Sequence, residues 1–190
     1  MTMNPNELIA KIKSADESAR AGAWLHAESV GAPAVKPLAG VLADKDIEGS
    51  RAAKRALWRI VRHAGRPGAD GERNAVVLEL VAVLGDHKTD VVQREVIWML
   101  SEIGGDESVA PIARLLVDAD LREDARMSLQ RIPGDTSIAA LRAALAAAPD
   151  DFRPNLAQSL RARGVDVLGI PCRKLVPTKR TEVKQVARPG

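Results

Sequence analysis

Glycines that end helical patterns recur along this chain, and this recurrence is the feature that most limits its fold. They occur at five points, Gly31, Gly65, Gly105, Gly134 and Gly164, with spacings of 34, 40, 29 and 30 residues. Glycine is favoured just beyond a helix because it adopts the left-handed backbone conformation found there. A two-helix unit repeated with a period of 20–50 residues predicts a solenoid.

The hydrophobic pattern divides each repeat into two helices joined by a short polar turn. We predict first helices at 34–43, 72–85, 108–117 and 136–148, and second helices at 47–63, 90–103, 121–132 and 151–163. The segment 17–30 is predicted to be a second helix with a short partner at 5–13. Three aspartates precede predicted helices and are expected to be N-caps: Asp46, Asp90 and Asp135.

Composition supports an all-α protein. Hydrophobic residues make up 46% of the chain but aromatic residues only 2%. The apolar fraction is mostly Ala, Leu, Val and Ile, which suits close helix packing better than sheets, where aromatic and β-branched residues are enriched.

Positions counted back from each closing glycine test the repeat, and position −5 means five residues before it. Position −9 is occupied by Gly22, Ala56, Val96, Ala125 and Asn155, and position −5 by His26, Ile60, Leu100, Leu129 and Ser159. Small residues and Leu or Ile four positions apart predict the buried stripe of an amphipathic helix. The first and last repeats depart from the pattern, as capping repeats do.

Two stretches, VVQREVIWMLSEIGGDESVAPIARLLVD and LREDARMSLQRIPGDTSIAALRAAL, resemble HEAT repeats, particularly the short type of phycobilisome-lyase-like proteins. The resemblance extends over residues 30–164. It implies a right-handed α-α superhelical solenoid of about five HEAT-like hairpins, with the second helices on the concave side. We expect residues 1–164 to form this solenoid and residues 165–190 to form an extended, non-helical basic tail.

All three tryptophans occupy position −7, where the five repeats carry Trp24, Trp58, Trp98, Met127 and Ala157. At about 100° per residue, this position lies roughly 160–200° from the buried stripe. Basic residues one turn away can contact the indoles, most densely around Trp58. The predicted binding row on the concave face comprises Trp24, Trp58, Trp98, Met127, Arg20, Lys54, Arg55, Arg62 and Arg94. The alternative is that the indoles pack between second helices with their N–H groups bonded locally.

The tail is strongly basic. Residues 165–190 carry six basic and two acidic side chains, a net charge of +4, whereas the whole chain carries +3 and residues 1–164 therefore about −1. Pro171 and Pro177 exclude a continuous helix, so the tail is predicted either to cover part of the groove or the convex side, or to bind a partner. The single Cys172 and the lack of a signal or membrane segment indicate a cytoplasmic protein.

Catalytic and metal-binding patterns are weak. His26, His63 and His87 are scattered, no paired His-Glu dipeptides occur as in HEAT-type diiron hydroxylases, and GRPGADGE lacks the spacing of a phosphate loop. Cys172 has no histidine near it in sequence. We therefore predict no catalytic residues, no metal and no cofactor, which leaves bilin-lyase activity as a minor alternative implied by the resemblance.

Two functions remain open. The first is a non-enzymatic interaction or scaffold module that binds a protein or peptide segment on its tryptophan-lined concave face, resembling in principle the tryptophan row of importin-alpha solenoids. The alternative is nucleic-acid binding, as in HEAT-like alkylpurine DNA glycosylases, with Trp58 and Trp98 beside a carboxylate such as Glu95 or Glu102. Acidic residues alternate with basic ones along these rows, which argues against a surface that tracks phosphates.

Overall fold

The computed structural model describes residues 3–86 and 89–171, and these residues form helices and connecting turns without any β-strand. Ten α-helices follow one another along the chain: α1 (Pro5–Ile12), α2 (Glu17–Leu25), α3 (Val35–Leu42), α4 (Ile47–Ala64), α5 (Asp70–Gly85), α6 (Asp90–Ile103), α7 (Asp106–Ala113), α8 (Arg122–Arg131), α9 (Asp135–Ala147) and α10 (Arg153–Ala162). Short 3-10 segments occupy Ala27–Ser29, Ala32–Ala34 and Arg114–Val117.

The helices form five antiparallel hairpins stacked in two layers. Each odd-numbered helix packs against the next even-numbered helix, and each helix also packs against the equivalent helix of the neighbouring hairpin. The odd-numbered helices make one layer and the even-numbered helices the other, which is the architecture of an α-solenoid. The predicted all-α solenoid fold is confirmed.

One continuous hydrophobic core runs between the layers from Leu8 to Leu160. Positions −9 and −5 contribute to it in the middle repeats, where Ala56, Val96, Ile60 and Leu100 are buried. Amphipathic helices therefore account for most of the core, as the apolar stripe predicts.

The first repeat departs from the predicted pattern. Residues 17–30 do not form one helix, because α2 ends at Leu25 and a 3-10 turn follows at Ala27–Ser29. His26, assigned to the buried stripe, is exposed instead. The break changes which residues face inward, so Ala23 and Ala27 are the buried residues here.

The N-cap predictions are confirmed at one aspartate and wrong at two. The Asp46 carboxylate accepts the backbone N–H groups of Glu48 and Gly49, both at 3.2 Å. Asp90 and Asp135 are the first residues of α6 and α9, not their caps. A carboxylate in the first turn is still favoured because it faces the positive end of the helix dipole.

The closing glycines have two different structural roles. Gly134 has a φ of 97°, in the left-handed region where residues with a Cβ are strained. Gly65 instead has a φ of −78° and caps α4, and its close contact explains the glycine. A Cβ there would lie 2.7 Å from the Cγ2 atom of Ile103. The prediction that a closing glycine caps the preceding helix is therefore confirmed for Gly65, and it is wrong for Gly105 and Gly134, which are the N-caps of α7 and α9.

The solenoid ends at α10, and residues 165–171 contain no helix. Arg161 donates hydrogen bonds to the carbonyl oxygens of Val167 and Ile170, which holds this segment against the last repeat. The remainder of the predicted basic tail, with Cys172, lies outside the described residues.

Candidate functional site

The predicted tryptophan row lies on the even-numbered helices. Trp24 on α2, Trp58 on α4 and Trp98 on α6 are all partly buried. Met127 on α8 is 41% exposed, whereas Ala157 on α10 is fully buried. The row therefore offers partly accessible side chains in the first four repeats and none in the last.

A carboxylate of the third repeat accepts the hydrogen bond of the Trp58 indole. The indole N–H of Trp58 on α4 donates to Glu95 Oε2 on α6 at 3.2 Å. The other carboxylate oxygen of Glu95 pairs with the Lys54 ammonium. Glu95 thus links an indole and a cation of one repeat to the next repeat.

The same arrangement recurs one repeat further on. The indole N–H of Trp98 donates to Asp124 Oδ1 at 2.8 Å, and the Arg94 guanidinium donates to Asp124 Oδ2 at 2.7 Å. This hydrogen bond to Asp124 raises the pKa of Arg94 above its usual value. Glu95 and Asp124 both stand at position −10, while Lys54 and Arg94 both stand at position −11. Position −7 of one repeat therefore meets position −10 of the next.

We call the contact between two neighbouring repeats a junction. The first junction, between the first and second repeats, has the same geometry but a different kind of residue at position −10. Position −10 of the second repeat is Arg55, and its guanidinium lies 5.4 Å from the centre of the Trp24 ring. Among the described residues, nothing accepts a hydrogen bond from the Trp24 indole N–H. Arg20, at position −11, donates instead to the backbone carbonyl oxygens of Ser14 and Ala15. An arginine thus occupies the place that a carboxylate has in the next two junctions.

A groove of about 870 Å³ opens beside this first junction. It is lined by two tryptophans and seven basic or histidine side chains: Trp24, Arg51, Lys54, Arg55, Trp58, Arg59, Arg62, His63 and Arg66. No carboxylate is among its lining residues. Its volume falls within the roughly 300–1,000 Å³ that is typical of ligand-binding clefts.

Some cations of the groove pair with a carboxylate and others do not. Four of them pair with carboxylates at its edge, in the pairs Arg51–Glu48, Lys54–Glu95, Arg59–Glu28 and Arg66–Glu72. Arg62 instead lies over the Trp58 ring, 5.2 Å from its centre. Within residues 3–86 and 89–171, Arg55 and Arg62 form no ion pair. Both therefore keep their charge available while stacked on an aromatic face.

Two carboxylates at the groove edge, Glu28 and Glu72, are held in their charged form by arginines. Hydrogen bonding from Arg59 keeps the pKa of Glu28 below its ordinary value of 4.5. Arg66 likewise lowers the pKa of Glu72. These groups stay ionised near neutral pH, so the positive character of the groove depends on Arg55 and Arg62.

Five of the nine residues of the predicted binding row lie at this groove. Trp24, Trp58, Lys54, Arg55 and Arg62 were all placed in the binding row, and they line one groove. Arg20, Arg94, Trp98 and Met127 lie outside its lining. The sequence analysis did not predict that position −10 contacts the tryptophan of the preceding repeat. The change of charge at this position is visible in the sequence, where the five repeats carry Ala21, Arg55, Glu95, Asp124 and Pro154.

Two of the residues considered as catalytic or metal-binding groups, His26 and His63, lie in the described part of the chain. Within the described parts of the chain, no group of three or more His, Cys, Asp or Glu side chains could hold a metal ion. His63 lies at the groove with Nε2 at 3.7 Å from Glu72, while His26 is exposed. His87 and Cys172 lie outside the described residues. None of the helices in the described ranges has the length and hydropathy needed to span a bilayer.

The geometry defines a repeat solenoid with a basic, tryptophan-containing groove, and a comparison with known families identifies the repeat. Residues 77–161 match the family model of HEAT repeats, in agreement with the resemblance seen in the sequence. No curated protein sequence matches the chain.

Solved structures similar to the chain include designed repeat proteins. A designed armadillo repeat protein, YIII(Dq)4CqI, is 18% identical, with a TM-score of 0.44 and with 82% of this chain and 80% of that chain covered. A second one, YIII(Dq.V1)4CPAF, in complex with the peptide (KR)4, is 18% identical with a TM-score of 0.46 and the same coverage. An engineered protein is 22% identical, with a TM-score of 0.45 and with 82% and 77% covered.

Proposed function

We propose that this chain is a protein-interaction module that binds a segment of a partner protein in the groove lined by Trp24 and Trp58. The observation that carries this proposal is the pair of stacked cations. Arg55 lies over Trp24 and Arg62 lies over Trp58, and neither arginine has an ion-pair partner in the described part of the chain. Tryptophan and arginine are the residues most enriched at energetically important positions of protein interfaces.

The fold supports the same function. Repeat solenoids present long continuous surfaces of equivalent helices, and such surfaces suit extended partner segments. The groove lies along two neighbouring even-numbered helices, the helices that a HEAT solenoid places on its concave side. Both helices pack against the partner helix of their own hairpin and against each other, and α4 also packs against α6, so the groove is largely formed before binding, which lowers the entropic cost of association.

In this proposal, the residues of the predicted binding row contribute unequally to binding. Trp24 and Trp58, with Arg55 and Arg62, form its centre. Trp98 and Arg94 both bond to Asp124, so less of their hydrogen-bonding capacity is left for a ligand. Met127 is accessible but lies outside the groove lining, while Arg20 and Lys54 bond within the chain.

A selection from a displayed library of random peptides tests the proposal. Peptides selected on the intact chain should bind Trp58→Ala at least about tenfold more weakly, a loss of about 1.4 kcal/mol. Trp24→Ala should behave similarly. Met127→Ala is the matched control, because Met127 occupies the same repeat position outside the groove, and its affinity should stay within about twofold. Peptides that bind Trp24→Ala and Trp58→Ala as tightly as the intact chain would place recognition elsewhere.

A further inference from the structure

The first three of the four junctions between repeats differ at position −10, and this difference indicates what the groove binds. In the second and third junctions, a carboxylate at position −10 accepts the preceding indole N–H and pairs with the preceding cation. In the first junction, Arg55 occupies position −10 and Trp24 donates its N–H to none of the described residues. The first junction thus has the indole and the cations but lacks the anion.

We infer that the groove recognises an acidic segment of the partner protein, with a partner carboxylate supplying the anion missing from the first junction. This inference rests on the proposed function and adds the chemistry of the partner. The carboxylate accepts the Trp24 indole N–H and pairs with Arg55. A second acidic side chain pairs with Arg62, whose charge is unmatched over Trp58.

Charge complementarity selects this occupant over others. The groove lining contains six arginine and lysine side chains and no carboxylate, so it repels basic segments. The tail of the chain carries a net charge of +4 and is a poor occupant for the same reason. Carboxylates bind arginine through charge-assisted hydrogen bonds, which are stronger than neutral ones.

An acidic peptide also fits better than a nucleic acid. A phosphate backbone needs a long and uniformly basic track, because most of its affinity comes from many phosphate contacts. Basic side chains are concentrated on α4 and do not continue on α6, where Asp90, Glu95 and Glu102 outnumber Arg94. Further along, Glu95 and Asp124 stand at the junctions, and residues 1–164 together carry a net charge of about −1. A short acidic segment matches the limited extent of the basic surface.

Binding of three short peptides to the intact chain tests the inference. The first is Glu-rich with interspersed Leu, and the other two replace each Glu by Gln or by Lys. We expect the Glu-rich peptide to bind at least about tenfold more tightly than its Gln analogue, with affinity that falls as salt is added. The Lys analogue should not bind. A single-stranded oligonucleotide of the same net charge serves as the competing polyanion.

Two arginines at equivalent repeat positions provide a matched pair of variants. Arg62 and Arg131 both stand at position −3, both are exposed, and neither forms an ion pair within the described ranges. Only Arg62 lies in the groove. Arg62→Gln should weaken the Glu-rich peptide about tenfold, whereas Arg131→Gln, with the same change in net charge, should leave its affinity within about twofold.

Arg55→Glu is the sharpest variant because it installs the missing carboxylate within the chain. The new carboxylate should accept a hydrogen bond from the Trp24 indole N–H, which slows the hydrogen exchange of that N–H. It should also abolish binding of the Glu-rich peptide. Arg55→Gln is the control, which should weaken binding without slowing that exchange. Unchanged peptide binding by Arg55→Glu would overturn the inference.

The remaining outcomes separate this inference from the proposed function. If the Gln analogue binds as tightly as the Glu-rich peptide and both need Trp58, the groove binds peptides but not by their charge, and only the inference fails. Tighter binding of the oligonucleotide than of the peptide, with loss in Arg62→Gln, would overturn the inference in favour of a nucleic-acid surface. Peptide binding that needs neither Trp24 nor Trp58 would overturn both.

Discussion

Trp98 on α6 donates its indole N–H to the Asp124 carboxylate on α8 at 2.8 Å, across the junction between two repeats. Trp58 and Glu95 make the equivalent contact one repeat earlier, at 3.2 Å. In both cases a cation of the tryptophan's own repeat bonds to the same carboxylate. These contacts therefore connect repeats to one another, whereas Trp24 has an arginine opposite it and its N–H has no acceptor among the described residues.

Replacing Trp98 by Phe should destabilise the protein by about 1–2 kcal/mol beyond the effect of lost ring volume. The reason is that Asp124 loses a hydrogen bond from a partly buried donor, and bonds to charged groups contribute about 1.5–3 kcal/mol. Trp24→Phe is the matched control because it removes the same ring atoms without breaking a hydrogen bond within the described residues. Urea unfolding measures both variants, and equal losses would contradict the structural role of Trp98.

Arg126→Ala should be among the most destabilising changes on an even-numbered helix, with a loss of about 2–3 kcal/mol. Arg126 is only 4% exposed and donates to Glu123 at 2.8 Å and to Ser159 Oγ at 2.6 Å, which ties α8 to α10. Arg131→Ala, on the exposed side of the same helix, should change stability by less than about 0.5 kcal/mol. Similar losses in both variants, measured by thermal unfolding, would show that the buried network contributes little.

Gly134→Ala should destabilise the protein by about 1–2 kcal/mol, because its φ of 97° strains any residue with a Cβ. The added Cβ would also lie 3.3 Å from the Asp106 carboxylate. Gly71→Ala should have the opposite sign and stabilise by about 0.4–1 kcal/mol. Gly71 lies in α5, and its Cβ would meet no atom within 4 Å. Opposite shifts of the unfolding midpoint in urea are the expected result. A Gly134→Ala variant as stable as the intact chain would contradict the positive φ of Gly134.

The contribution of Glu28 to stability should depend on pH. Its folded-state pKa is lowered below 4.5, chiefly by hydrogen bonding to Arg59, so its stabilising effect is present above pH 4.5 and is lost as pH falls through the lowered pKa. Glu28→Gln should therefore be less stable than the intact chain near neutral pH and equally stable in strong acid. Urea titrations over a pH series measure the difference.

Glu102→Gln is the control for that series, because Glu102 occupies the same repeat position and forms no ion pair in the described part of the chain. Its stability should differ little from that of the intact chain near neutral pH. A loss in Glu28→Gln that stays constant down to strong acid would contradict the ion pair with Arg59.

The sequence was sufficient to predict the helices and their hairpins because helical periodicity is a local property. The bounds of α4 and α6 differ from the predicted ones by at most one residue. The prediction failed where the backbone departs from regular geometry. The 3-10 turn at Ala27–Ser29 interrupts a pattern that looks helical, and His26 is exposed as a result. Apolar spacing alone does not indicate such a change of pitch.

The site was harder to predict than the fold because the surroundings of each tryptophan are set by a residue of the following repeat. Trp58 and Glu95 are 37 residues apart in sequence, and Trp98 and Asp124 are 26 apart. The repeat position placed the three indoles in one row, but the contrast among Arg55, Glu95 and Asp124 became meaningful only once their distances to the indoles were known.

The central claim is that the first junction binds the carboxylate of an acidic partner, and the indole N–H signals of the three tryptophans in a nitrogen-15 NMR spectrum test it most directly. On titration with the Glu-rich peptide, the Trp24 signal should move downfield and its hydrogen exchange should slow, because its N–H gains an acceptor. The Trp58 signal should shift as Arg62 is engaged, and the Trp98 signal should stay in place. A saturating titration that shifts the Trp98 signal while leaving the Trp24 signal unchanged would contradict the claim.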